Sequence, residues 1–247
     1  MYEERVYRRG MSGGLGMLDF EVIEQETDLW ISMEASACYP GLQEEIRGFV
    51  LRLRKTLKDY LEQDPAFLIT LEPYRILPGA PPIAVDMAVA ASKAGVGPMA
   101  AVAGAFARDV GREIRRLTNC SKVMVENGGD IYLFGSDSIT VAVYAGNSPL
   151  CDKVGISLKL EGELGICTSS GTVGHSLSFG KADACAVICD DVVVADAFAT
   201  AFCNKVKAKE DIQQVLTAAK SSPDIKGALV IIGDALGAWG DLELIGL

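Results

Sequence analysis

Asp196 and Thr200 lie four residues apart in a run of small and apolar residues, so on a helix they share one face, with Asn204 a turn further on. A carboxylate and a hydroxyl in such a setting need partners, because burying them unpaired costs roughly 2–7 kcal/mol. Oxygen donors of this kind suit Mg²⁺, which keeps several waters and bridges to substrate phosphates; a hydrogen bond to a neighbouring loop would meet the same need. A second group is the stretch Ser169-Ser-Gly-Thr-Val-Gly-His-Ser176, which gathers hydroxyls, glycines and the only histidine, His175, into one loop. Histidine is a ready acid, base or hydrogen-bond donor, and it can equally tie a loop down. A third is Asn127-Gly128-Gly129-Asp130. Paired glycines there close a hairpin or let a backbone approach a ligand, and both readings stand.

Other chemistry is poorly supported. No Gly-x-Ser-x-Gly elbow occurs, which argues against a serine-hydrolase triad. Cys185 and Cys189 share one side of a strand, with Cys167 near them in sequence, but without a Cys-x-x-Cys pair and with one histidine a zinc site is not expected. Gly10-Met-Ser-Gly-Gly-Leu-Gly16 resembles a phosphate loop only in composition, because a strand-like segment and not a helix follows it. The net charge of −10 disfavours a nucleic-acid partner. The basic residues of Arg47–Lys58 and Arg108–Arg116 are interleaved with acids and read as solvated helical faces.

Stepping outward to the elements that must hold these residues, Met17–Glu24 and Asp28–Glu34 suggest a first hairpin, and Glu44–Leu61 has helical spacing. Pro65–Leu71 reads as a strand, Ile83–Ala94 as a short helix and Pro98–Leu117 as a longer one. The latter has an apolar face of Met99, Val102, Phe106, Val110, Ile114 and Leu117, and a stripe of Ala100, Gly104, Ala107 and Gly111. Two glycines on one stripe cost about 1 kcal/mol each in a helix interior, so either a sheet packs closely there or a ligand lies against the helix. Strands follow at Lys122–Glu126, Ile131–Phe134, Ile139–Tyr144, Gly155–Leu160, Gly165–Thr168 and Asp183–Cys189, then helices at Val192–Val206 and Glu210–Ala219 and a strand at Ala228–Ile232. Strands that succeed one another without intervening helices between Ile131 and Thr168 argue for an α+β fold in one domain spanning 1–247.

The N-terminus is charged and lacks an apolar signal core, and no run of eighteen apolar residues occurs, so neither export nor a membrane span is expected. Seven cysteines, an odd number, then read as reduced thiols of a cytoplasmic protein.

The small-residue helix, Glu126-Asn-Gly-Gly-Asp130, the Ser-Gly loop with its histidine and Ala195-Asp-Ala-Phe-Ala-Thr-Ala201 occur in one order over residues 95–206. That order resembles the ApbE superfamily of FAD:protein FMN transferases, and in particular its short cytoplasmic branch. The resemblance implies a T-fold-related architecture of mixed sheet layers with packed helices. It also implies FAD bound in a cleft, Mg²⁺ assisting at its pyrophosphate, and FMN transfer to a threonine of a partner flavoprotein. On that basis Asp196 and Thr200 are expected to ligate Mg²⁺. Asn127, Gly128, Gly129, Asp130, Ser170, Gly171 and Thr172 are expected to line the nucleotide cleft, and His175 to assist catalysis. The departures are an Ala103-Gly104 pair where the family usually has Lys-Gly, Ser176-Leu-Ser178 where Asp-Pro often follows the histidine, and the missing export signal. They leave two alternatives: an accessory enzyme of sulfur or amino-acid (homocysteine-type) metabolism in anaerobes, or a non-catalytic binding protein on the same scaffold.

Overall fold

Alternation along the strands dictates the layering. In strand β8 (Ala184–Cys189) the side chains of Cys185, Val187 and Cys189 enter one core, and those of Ala184, Ala186 and Ile188 enter another. A strand buried on both faces loses the polar–apolar alternation of a half-solvated one and reads as a continuous apolar run. The same division holds for β9 (Ile225–Ile232), where Ala228 and Val230 oppose Leu229 and Ile231.

The computed structural model describes Arg8 and residues 14–173 and 178–247. An eight-stranded antiparallel sheet has the order β1 (Met17–Glu24), β2 (Thr27–Glu34), β3 (Val123–Asn127), β4 (Asp130–Gly135), β7 (Gly162–Ser169), β8, β9, β10 (Ala235–Gly240). One of its faces carries the helices α1 (Leu42–Gln63), α3 (Pro82–Ala94), α4 (Val102–Thr118), α5 (Val192–Lys205) and α6 (Asp211–Ser221). The other is covered in part by a three-stranded sheet ordered β11 (Glu243–Gly246), β6 (Val154–Lys159), β5 (Ser138–Ala142). The α+β reading therefore holds, as helix layer, large sheet and small sheet.

Two expectations are corrected. Pro65–Leu71 is not a strand: Pro65 opens the one-turn helix α2 (Pro65–Ile69), at the position where a fixed φ and a missing N–H cost least. Phe67 then plugs edge-on between the rings of Tyr60 and Tyr74, both of whose hydroxyls donate to the buried Asp64. The basic stretch of α4 is not all solvated either. Arg108 is buried and pairs with Asp86 at 2.5 Å and Asp109 at 2.9 Å, while Arg112 and Arg116 stay in solvent contact.

Helix α5 is the innermost helix, buried along most of its length, with Val194, Phe198 and Phe202 and the following Val206 all in the core. It reaches that depth because two of its neighbours are glycines. A Cβ on Gly104 of α4 would lie 2.7 Å from the Val192 carbonyl oxygen and 2.9 Å from the Asp196 Cβ. A Cβ on Gly165 of β7 would overlap the Val192 backbone, 2.6 Å from its Cβ and 2.7 Å from its N. Gly111, the second glycine of the α4 stripe, is instead filled by the ring of Tyr132 from β4. The stripe thus packs on a helix at one end and on the sheet at the other.

Gly165→Ala should destabilise the fold by about 1–3 kcal/mol, the usual range for an overpacked core. Urea unfolding, with the midpoint lowered and the slope unchanged, measures it; an unshifted midpoint would mean that α5 can slide outward at no cost.

Candidate functional site

Two of the motifs, the Asp196 helix and the Asn-Gly-Gly-Asp turn, meet at a single peptide group of α4. Ala103 and Gly104 lie in the first turn of α4, where backbone N–H groups have no partner inside the helix. The Gly104 N–H donates to Asp196 Oδ2 at 2.8 Å, and the carbonyl of the same Ala103–Gly104 peptide accepts from Asn127 Nδ2 at 3.1 Å. Asp196 from α5 and Asn127 from the end of β3 are thereby held on opposite ends of one amide in α4. An anion at a helix N-terminus also gains from the aligned peptide dipoles.

Asp196 is 7% exposed, and burial pushes its carboxyl up to about 7, opposed by the N–H groups of Gly104 and Ala103. Those donors do not fully offset its desolvation, so the charged form is disfavoured and the carboxyl is only partly ionised near neutral pH. Two oxygens with two lone pairs each leave acceptor capacity beyond the helix cap. Thr200, one turn along α5, is half-buried. Two oxygen donors of this type fit a hard divalent cation.

Between β3 and β4, Gly128 and Gly129 form a two-residue turn with φ of +71° and +102°, closing the Asn127–Asp130 pair. Positive φ at both central positions is the backbone of the tight hairpin turn that L side chains resist. The turn is fixed from both sides: the Gly129 N–H donates to Glu126 Oε1 at 2.7 Å, and its carbonyl accepts from Thr168 N at 3.1 Å. Asp130 is buried and stands opposite Cys167 in the β4–β7 register. The Cys167 thiol donates to the Val192 carbonyl at 3.4 Å. Burial holds that thiol well above its usual range, and the nearby Asp130 and Asp196 push the same way.

Ser170, Gly171 and Thr172 form a neighbouring but separate group beyond the end of β7. The Ser170 hydroxyl accepts from the N–H groups of Thr172 and Val173 at 3.1 and 3.0 Å, and the Thr172 hydroxyl donates to Asp183 at 2.9 Å. Asn204, at the end of α5, accepts from the Phe179 N–H at 2.8 Å and ties down the far side of this loop. His175 lies outside the described residues, as do Gly174, Ser176 and Leu177, and most of the Gly10–Gly16 stretch. Among the described residues no cluster of three or more His, Cys, Asp or Glu side chains is arranged for a metal. The thiols of Cys120, Cys185, Cys189 and Cys203 are buried and pushed up by that burial, the opposite of an activated nucleophile.

Glu126 is a residue that sequence reasoning passed over, although it precedes the Asn-Gly-Gly-Asp motif directly. It is 1% exposed, and besides the turn it holds Arg8, whose Nε donates to it at 2.6 Å. Arg8 also donates to the Asp28 side chain at 2.6 Å and to the Asp28 carbonyl at 2.8 Å. A glutamate in the final pleat of an otherwise apolar strand was the available signal.

The chain matches the family model described as "AbpE bacteria" over residues 9–233, and it belongs to that family. It is 40% identical over 223 residues to a UPF0280 protein of Methanosarcina barkeri, covering 90% of this chain and 86% of that one. It is 44% identical over 207 residues to a UPF0280 protein of Methanoculleus marisnigri, covering 83% of each. Among solved structures it resembles the flavin transferase ApbE from Vibrio cholerae, with a TM-score of 0.57 at 13% identity, covering 91% of this chain and 97% of that one. It also resembles the ApbE protein of Thermotoga maritima, with a TM-score of 0.54 at 14% identity, covering 90% and 96%. At such identities the likeness is one of fold. Among the described residues no single helix is long and apolar enough to cross a membrane.

The Arg8–Glu126 pair yields a test. Breaking one partner of a buried pair costs roughly 3–5 kcal/mol, mostly because the other charge is stranded. Arg8→Ala and Glu126→Ala should each destabilise on that scale, and the double variant should lose clearly less than the sum. A double-mutant cycle by chemical unfolding reads the coupling; strict additivity would separate Arg8 from the turn.

Proposed function

We propose that the protein binds a flavin or a related phosphorylated nucleotide together with Mg²⁺, in the cleft bordered by the Gly128–Gly129 turn, the loop after β7 and α5. The observation that carries this reading is the Ala103–Gly104 peptide, gripped by Asn127 and Asp196. It joins the Asn-Gly-Gly-Asp turn to a buried carboxyl whose charged form is disfavoured by its surroundings. The solved structures that the protein resembles include flavin transferases, which supports a nucleotide as the class of ligand.

In this reading Asp196 and Thr200 hold the metal. A bound Mg²⁺ neutralises charge on the bridging oxygens of a pyrophosphate, and positioning does most of the rest. Asn127 fixes the α4 terminus, and with it the Asp196 carboxylate. Gly128 and Gly129, lacking side chains, leave room for a phosphate or ribose to approach the turn. Ser170, Gly171 and Thr172 supply hydroxyl and backbone donors at the opposite wall, and Asp130 is the second carboxylate of the site. His175, on the same loop, would serve as the acid or base at the pyrophosphate. FMN transfer to a threonine of a partner flavoprotein is the reaction this arrangement would serve. Ala103 stands where the family usually has a lysine, so the chain lacks one cation that would otherwise face the phosphates.

Isothermal titration with FAD, with and without Mg²⁺, tests the reading. Asp196→Asn is the variant of choice, because an amide oxygen still accepts from the Gly104 N–H while the charge is gone. Wild-type protein should bind in the micromolar range only with Mg²⁺, and Asp196→Asn should bind at least about tenfold more weakly, a loss of about 1.4 kcal/mol. Absence of binding in all conditions, or equal binding by the variant, would overturn it.

A further inference from the structure

Strand β1 forms one edge of the eight-stranded sheet, and among the described residues nothing pairs with its outer side. The Glu21 carbonyl accepts from the side-chain amide of Gln43 at 3.0 Å, so it points away from β2. In an antiparallel ladder the N–H and C=O of one residue point the same way and alternate residue by residue. Asp19, Glu21 and Ile23 therefore present their backbone groups outward, while Phe20 and Val22 pair inward with Ile31 and Leu29. Gln43 occupies one of the outward acceptors, in the place of a missing strand's donor.

Beside this edge runs an open groove of about 490 Å³, between β1 and the first two turns of α1, lined by Phe20 to Ile23 and by Gln43, Glu44 and Arg47. The two faces of β1 differ in chemistry. Toward the helices lie Leu18, Phe20 and Val22, of which Leu18 is exposed and Phe20 half-buried; Leu51, exposed, follows Glu44 and Arg47 along the same stripe of α1. On the opposite face Asp19 and Glu21 are exposed. Glu24 and Glu44 add two more carboxylates, against Arg47, which is paired with Glu24, and Arg8, 3.7 Å from Glu21.

We propose that β1 takes an extended segment of a partner protein as an additional strand of the large sheet, and that this segment alternates apolar with basic residues. Main-chain hydrogen bonds to Asp19, Glu21 and Ile23 would give the affinity. The alternation follows from the two faces of β1, since directly opposed side chains interact as pairs. Apolar side chains would lie over Phe20 and Leu18 on the helix side, and basic ones against Asp19 and Glu21 on the other. A second copy of this chain fits poorly: antiparallel self-pairing about the centre of β1 sets Glu21 against Asp19 or against itself, and like charges directly opposite are destabilising.

The probe is a labelled peptide of alternating valine and lysine, compared by fluorescence polarisation with a scrambled peptide of the same composition and with alternating valine and glutamate. The full-length protein should bind the alternating basic peptide at least about tenfold tighter than either control. On binding, the outward amides of Asp19, Glu21 and Ile23 should slow in hydrogen exchange, while the inward amides of Phe20 and Val22, already protected, should not change. Glu21→Pro removes one outward N–H at an edge position where proline is tolerated, and should weaken binding about tenfold or more; Asp19→Lys, which reverses a charge on the acidic face of β1, should weaken it without removing a backbone donor. Equal binding of basic and scrambled peptides, an exchange pattern unaltered on Asp19 and Ile23, or binding insensitive to Asp19→Lys would overturn the proposal. A dimer in sedimentation that Glu21→Pro dissociates would overturn it too, giving the edge to a second copy.

Discussion

Val192 is held between two glycines from different layers, with Gly104 of α4 against its carbonyl and Gly165 of β7 against its backbone. Neither position can carry a Cβ without moving α5 away from the sheet. The depth of α5 in turn decides where Asp196 sits, one helical turn beyond Val192, and therefore whether its carboxylate can reach the Gly104 N–H. Close backbone approach is purchased with helix propensity, since glycine in a helix interior is about 1 kcal/mol worse than alanine. The gain is geometric: a buried helix carries a carboxylate to a place where the first turn of another helix has orphan donors.

Burial makes that carboxylate expensive and hence informative. Glu126, Asp28 and Arg8 form a second buried charged group on the other face of the sheet, and there the acid–base partners are close and the N–H of Gly129 shares in the arrangement. Asp196 has no such cation beside it among the described residues; its donors are backbone N–H groups of α4. The two acids flank the same Gly-Gly turn, Glu126 through the turn's own backbone and Asp196 through the Ala103–Gly104 peptide and Asn127. One is neutralised by an arginine from the N-terminal segment, and the other is met only by backbone N–H groups, so its charged form is disfavoured. The structure therefore surrounds one buried carboxyl whose charged form is disfavoured with rigid, satisfied supports.

Most of this was legible where side-chain periodicity carries the signal. The strands of the large sheet other than β10, the long helix α1 and the buried helix α5 follow from apolar patterning or helical spacing, and Asp196 and Thr200 were set on one face by their separation alone. Legibility failed where a single local event overrides the pattern. Phe67, Leu68 and Ile69 look like strand residues, but Pro65 at a helix start and the two tyrosine hydroxyls on Asp64 favour a turn of helix. The final strands β10 and β11 were missed because Gly237 and Gly240 interrupt the apolar run; a Cβ on Gly237 would meet Ile212 and Leu216 of α6, so the glycine is there for the helix, not for the strand. Arg108 looked solvated because its neighbours in sequence are, and only the third dimension supplies Asp86.

The small-residue stripe of α4 shows why an ambiguous sequence feature can have two correct explanations. Gly111 answers to packing alone, since the ring of Tyr132 fills the space its side chain would take. Gly104 answers to packing and to chemistry at once: the absence of a Cβ lets α5 approach, and the approach turns the residue's N–H into a ligand for Asp196. An alanine would fit the helix better and would displace the carboxylate by pushing on Val192 and on the Asp196 Cβ. The contacts of this peptide use only main-chain, Asp196 and Asn127 atoms, so the Ala103 side chain is free to change without altering how α4, α5 and the Gly-Gly turn are joined.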